Sequence, residues 1–74
     1  MDRSEYLKLC QKYAVAKEKH PDLLVVYKGL KYFPKEYLMQ FDEYGNPKNI
    51  AILKDVDANS IIQVDLGKVG KYGN

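Results

Sequence analysis

The densest apolar stretch of the chain runs from Leu23 to Phe41, and its pattern is that of paired strands. Leu23 to Tyr27 and Leu30 to Phe33 are rich in β-branched and aromatic side chains, and Lys28-Gly29 between them supplies a two-residue turn with glycine at a positive φ. The spacing predicts a β-hairpin in which Val25 lies across from Tyr32 and Leu24 from Phe33. Alternation then puts Leu23, Val25, Tyr27, Leu30 and Tyr32 on one face and Leu24, Val26 and Phe33 on the other, with Lys31. Pro34 has no N–H to give a central strand, so it marks an edge or a bulge that shifts the face of the residues after it. Beyond it Tyr37, Met39 and Phe41 alternate with Leu38, Gln40 and Asp42, and the aromatic set is expected in the core.

Upstream, Tyr6, Leu9, Cys10, Tyr13 and Ala14 recur at helical spacing, predicting an amphipathic helix from about Ser4 to Lys17. Asp2 followed by Glu5 forms a capping pair, with Ser4 as a rival cap, and the helix must stop before Pro21. Downstream, Asp42 to Pro47 carries the chemistry of a turn: an Asp that caps, a glycine for positive φ, and Asn-Pro to close. Asn49 to Lys54 reads as a third strand, Asp55 to Ser60 as a turn, and Ile61 to Leu66 as a fourth strand. The last eight residues hold three glycines, and 67–74 is expected to be a flexible tail. These elements make the fold class α+β: one domain over 1–74, an N-terminal helix packed on a four-stranded, mainly antiparallel sheet. The helix stripe should meet Val25, Met39, Phe41, Ile52 and Val64.

Size limits what such a domain can do. In 74 residues a single core supplies roughly 3–5 kcal/mol. One cysteine excludes an internal disulfide, and no Cys/His cluster is spaced for zinc, so self-association is the ordinary remaining source of stability. A single helix shields one face of the hairpin, which leaves Leu24, Val26 and Phe33 for a second copy and predicts a homodimer through the sheet face or edge left uncovered. Asp2 and Glu5 precede any apolar run, unlike a signal peptide, and no apolar stretch nears the roughly 20 residues of a membrane span. A cytoplasmic protein with no membrane partner is expected.

Candidate chemistry is sparse. His20, the single histidine, falls in a polar connection before Pro21 and Asp22, and reads as a loop residue. Cys10 sits on the apolar stripe, where a thiol behaves as a small hydrophobe. Asp42/Glu43 and Asp55/Asp57 could bind a cation, but both sit in turns where Asp caps backbone. Asp55-x-Asp57-x-Asn59 resembles the start of a calcium loop yet lacks its glycine, with Ser60 there and Leu66 in place of the distal glutamate. No catalytic residue, metal ligand or cofactor site is assigned, and an enzyme is not expected.

Seven tyrosines without a tryptophan are the compositional oddity. Tyrosine is favoured at binding surfaces, and the segment Tyr27, Lys28, Lys31, Tyr32 and Phe33 is the candidate binding surface. Residues 1–35 carry eight Lys/Arg against four Asp/Glu, so this surface could also stack bases while its ammonium groups meet phosphate. The plainer reading is half-buried strand tyrosines with lysines guarding a strand edge.

Several segments together resemble a known family. Glu5 to Val15, Val26-Tyr27-Lys28-Gly29 with Tyr32, Phe41 to Pro47, and Ala51 to Asp55 with Ala58-Asn59-Ser60 are similar to a family of short uncharacterised proteins from phages and prophages of Firmicutes. The resemblance covers nearly the whole chain through general texture, and carries no catalytic or binding motif. It implies a non-catalytic phage accessory protein that acts stoichiometrically on a host protein, as an inhibitor of antiviral defence, or that sequesters a nucleotide signal. Host-protein binding is the leading expectation; nucleic-acid or nucleotide-signal binding through the Tyr/Lys surface is the alternative.

Overall fold

A computed structural model describes residues 1–16 and 20–72. Helix α1 spans Arg3–Ala16. Asp2 caps it: its carboxylate accepts from the Glu5 N–H (2.9 Å) and its carbonyl takes the first helical bond, from Tyr6 (3.1 Å), so Ser4 is not the cap. The expected end at Lys17 lies outside the described residues. By His20 the backbone is extended, and Pro21–Leu23 forms a single 3₁₀ turn. Five strands follow among the described residues: β1 Val25–Tyr27, β2 Leu30–Phe41, β3 Pro47–Asp55, β4 Ile61–Asp65 and β5 Gly70–Lys71. All pairings are antiparallel, in the order β4-β3-β2-β1-β5. The class is α+β as expected, with five strands where four were expected.

The fifth strand corrects the reading of 67–74 as a tail. Asp65 accepts from the Gly67 N–H (2.9 Å) and starts a 3₁₀ turn at Leu66–Lys68. Val69 comes next, fully buried, and Gly70 and Lys71 then pair with Val26 and Val25. The glycine count masked this because the three apolar anchors, Leu66, Val69 and Tyr72, stand singly among polar residues. Gly73 and Asn74 lie outside the described residues.

This connection dictates the shape of the sheet. In a flat sheet four inter-strand steps would set β4 and β5 about 19 Å apart. Asp65 to Gly70, half of it coiled in the 3₁₀ turn, reaches only roughly 13 Å. The sheet therefore curls into a partly open barrel, and side chains from both edges meet inside it. Val64, Leu66 and Val69 join Val25, Tyr32, Ala51 and Leu53 in one core, closed by Tyr6 and Leu9 of α1.

The hairpin turn is as expected: Lys28 and Gly29 both have positive φ (50° and 77°), and Val25 pairs with Tyr32. Pro34 is fully buried, at a point where β1 no longer runs beside β2 and no donor is demanded on that side. Between Pro34 and Glu36 the register with β3 slips at Lys35. This bulge moves the inward side of β2 from Tyr32 and Pro34 to Tyr37, Met39 and Phe41.

Tyr6 closes the bulge. Its ring is wholly buried, and its hydroxyl shares its one proton between the carbonyls of Glu36 (3.1 Å) and Ile52 (2.9 Å), the pair at which the ladder resumes. Two turns on, Tyr13 stacks on Phe33 at 5.2 Å, on the other side of β2 from Tyr32. The bent strand thus lets one helix reach both of its faces. Phe33 (5% exposed) and Leu24 are buried within the monomer and Val26 is half-buried, so most of the face expected to pair in a homodimer is already covered. Ala14, expected on the helix stripe, is exposed.

Replacing Tyr6 by Phe leaves the buried Ile52 carbonyl and the part-buried Glu36 carbonyl without their shared donor and should destabilise the fold by about 1–3 kcal/mol in urea unfolding. Burial, and then the nearby Cys10, push the Tyr6 hydroxyl far above the ordinary value of 10.0. The unfolded chain therefore ionises first: the stabilisation is complete below about pH 10 and is lost as pH rises beyond it. Tyr6→Phe should flatten that alkaline decline. A decline as steep in the variant as in the wild type would refute the assignment.

Candidate functional site

The five residues singled out as a binding surface do not share one face of the sheet. Tyr27 and Tyr32 point to the barrel side of the hairpin, their rings in edge contact at 6.5 Å, and Tyr32 is buried in the core. Lys31 and Phe33 alternate to the opposite side, and Phe33 is buried under Tyr13. Lys28 and Lys31 are exposed, as expected, but each ammonium covers a tyrosine ring: Lys28 over Tyr27 at 5.5 Å and Lys31 over Tyr72 at 4.6 Å. The alternation in the sequence already separated these side chains onto two faces. Burial removes Tyr32 and Phe33 from any base-stacking platform, and among the described residues only the Lys31–Tyr72 pair joins a cation to a ring on the outer face.

The exposed apolar surface lies elsewhere, on the distal half of the β2–β3 hairpin. β4 pairs with β3 only over Ile50–Lys54, and β1 with β2 only over Leu30–Tyr32. Leu38–Phe41 and Pro47–Asn49 therefore project as a two-stranded arm. Its turn is rigidly built: the Asp42 carboxylate accepts from the N–H groups of Tyr44 (2.8 Å) and Asn46 (2.9 Å), and Gly45 takes φ 81°. The Asn46 N–H, with further help from Tyr44 and Lys48, holds the Asp42 carboxyl below its usual range.

The expected core set Tyr37, Met39 and Phe41 divides along this arm. Tyr37 is half-buried, with its ring 6.5 Å from Tyr6, the Arg3 guanidinium over it at 5.0 Å, and its hydroxyl donating to the Asn49 side chain. Helix α1 begins at Arg3, so no further turn exists to cover what lies beyond. Met39 is left 42% exposed, Phe41 66% and Tyr44 81%. The inward parity of Met39 and Phe41 was readable in the sequence; where the helix stops short of them was not.

The remaining candidates serve the backbone. Asp55 accepts from the N–H groups of Asp57 (2.8 Å) and Ala58 (3.2 Å), the same capping role as Asp42. Among the described residues no three His, Cys, Asp or Glu side chains converge. His20 is exposed beside an open groove of about 540 Å³, lined by Lys8, Lys12, Val15 and Leu23. No helix among the described residues is long and apolar enough to cross a membrane.

Cys10 is half-buried, and desolvation first, then the Glu36 carboxylate, push its thiol up to about 11, against a hydrogen bond with Tyr6 that lowers it. Near pH 8 the thiolate is then about one part in a thousand. Labelling of Cys10 by a disulfide reagent should be slow in the folded protein and fast in urea. Equal rates in both would contradict the burial described.

Comparison of the chain with protein-family models, with curated proteins and with solved structures finds no match in any of the three.

Proposed function

We propose that this chain is a non-catalytic binding module that engages a partner protein through the β2–β3 arm, inserting Phe41 and Met39 into an apolar cleft. The observation that carries the reading is the position of these two side chains. They lie on the inward face of the sheet, past the end of the helix, on a rigid turn that also displays Tyr44. Each large apolar side chain gains roughly 1.5–3 kcal/mol on full burial, and interface energy concentrates in a few such anchors. The resemblance to phage and prophage proteins makes a host protein the partner to seek, with components of antiviral defence first, in the bacterial cytoplasm. Nucleotide or nucleic-acid binding is the weaker alternative, because two of its five proposed residues are interior.

Phe41→Glu and Met39→Glu should leave the fold intact, since both side chains are exposed, and should weaken capture of the host partner at least tenfold. Capture should survive nuclease treatment and change little between low and high salt, whereas a phosphate-dependent complex loses affinity steeply with salt. Binding that persists in both arm variants, or that vanishes with nuclease, would sink the proposal.

A further inference from the structure

The outer edge of β4 is open and unguarded. The Asp55 N–H donates to the Ser60 carbonyl (2.9 Å), and the antiparallel register then runs without a slip from Lys54↔Ile61 to Ile50↔Asp65. Hydrogen-bonded and non-bonded pairs alternate along such a ladder. Ile62 and Val64 therefore bond to β3, while the N–H and C=O groups of Ile61, Gln63 and Asp65 point away from the sheet. Exposed edges are normally blunted by lysine, proline, a bulge or short length. The arm edge carries Pro47 and Lys48, and β5 is two residues long with Lys71. Ile61-Ile62-Gln63-Val64-Asp65 has no lysine, proline or bulge, its one charge, Asp65, stands at the end of the strand, and Ile61 is half exposed.

We propose that this edge pairs with β4 of a second copy, antiparallel, with Gln63 on the two-fold axis. That register satisfies every outward group at once. Gln63 exchanges two hydrogen bonds with Gln63 of the second copy, and Ile61 exchanges two with Asp65 at each end, six in all. On the core side, where Ile62 and Val64 pack, Ile62 comes opposite Val64 in the close, non-hydrogen-bonded position. On the outer side each Asp65 faces an Ile61, so no like charges oppose each other. A foreign extended segment could use the same edge, but only the second copy brings a register fixed by its own sequence. The two sheets become one continuous sheet, with the two arms free to engage a partner protein.

Sedimentation from micromolar to millimolar concentration should show a monomer–dimer equilibrium. Gln63→Pro removes only an outward N–H, a tolerated place for proline in an edge strand, and should raise the dissociation constant at least about tenfold. Gln63→Cys should cross-link under mild oxidation, because the two positions face each other, whereas Ile61→Cys should not. Phe41→Glu should leave the dimer unchanged, which separates this inference from the arm's proposed role. A wild type that is monomeric throughout, or cysteine variants that cross-link equally, overturns the proposal; if Gln63→Pro fails to fold, the cysteine pair decides.

Discussion

A single hydroxyl joins the two layers of this protein. The bulge at Lys35 breaks the ladder between β2 and β3 just where the sheet must bend, and beside it the Ile52 carbonyl is buried and the Glu36 carbonyl part-buried. Buried polar groups without partners are costly. Tyr6 meets that cost from outside the sheet, reaching the carbonyls of both strands with one side chain. Its ring belongs to the same core as Val25, Leu53 and Val69, so apolar packing and polar satisfaction fix the helix in a single place. Among the described residues no buried side-chain polar atom lacks a partner.

The bend held by Tyr6 also decides which surfaces are free. Because β2 turns beneath α1, the helix covers Tyr37 on one side and Phe33 on the other within its own length. Both hairpin faces close inside one chain, and a second protomer is not needed to bury them. The length of β2 that exceeds the barrel becomes the arm. Exposure of Phe41 thus results from a mismatch between a twelve-residue strand and a helix that starts at Arg3.

Local patterns in the sequence were informative wherever one residue's chemistry settles the matter. Asp2 capping, the Lys28-Gly29 turn, the Asp42 turn and the parity shift after Pro34 are each decided by neighbours a few positions away. The features that sequence reading missed depend on distance. Val69 is a lone valine among glycines and lysines, and its burial is fixed by a 3₁₀ turn that carries the chain across the barrel. The candidate surface failed for the opposite reason: composition grouped Tyr27, Lys31, Tyr32 and Phe33, while the pleat separates them onto two faces and buries two of them. Tyrosine content therefore reported on the interior here as much as on recognition.

Strand β1 has only three residues, yet it lies between β2 and β5 and carries a fully buried valine. One of its neighbours forms through a two-residue turn, the other only by bringing Lys71 back to Val25 near the opposite end of the chain. Local pairings form readily, while distant ones must first overcome the entropy of closing a long loop. On the ribosome, then, the β1–β2 hairpin can form as soon as it emerges, but the barrel cannot close until Gly70 and Lys71 have been made. Until that second pairing is made, Val25 has Tyr32 across from it on one side and nothing on the other.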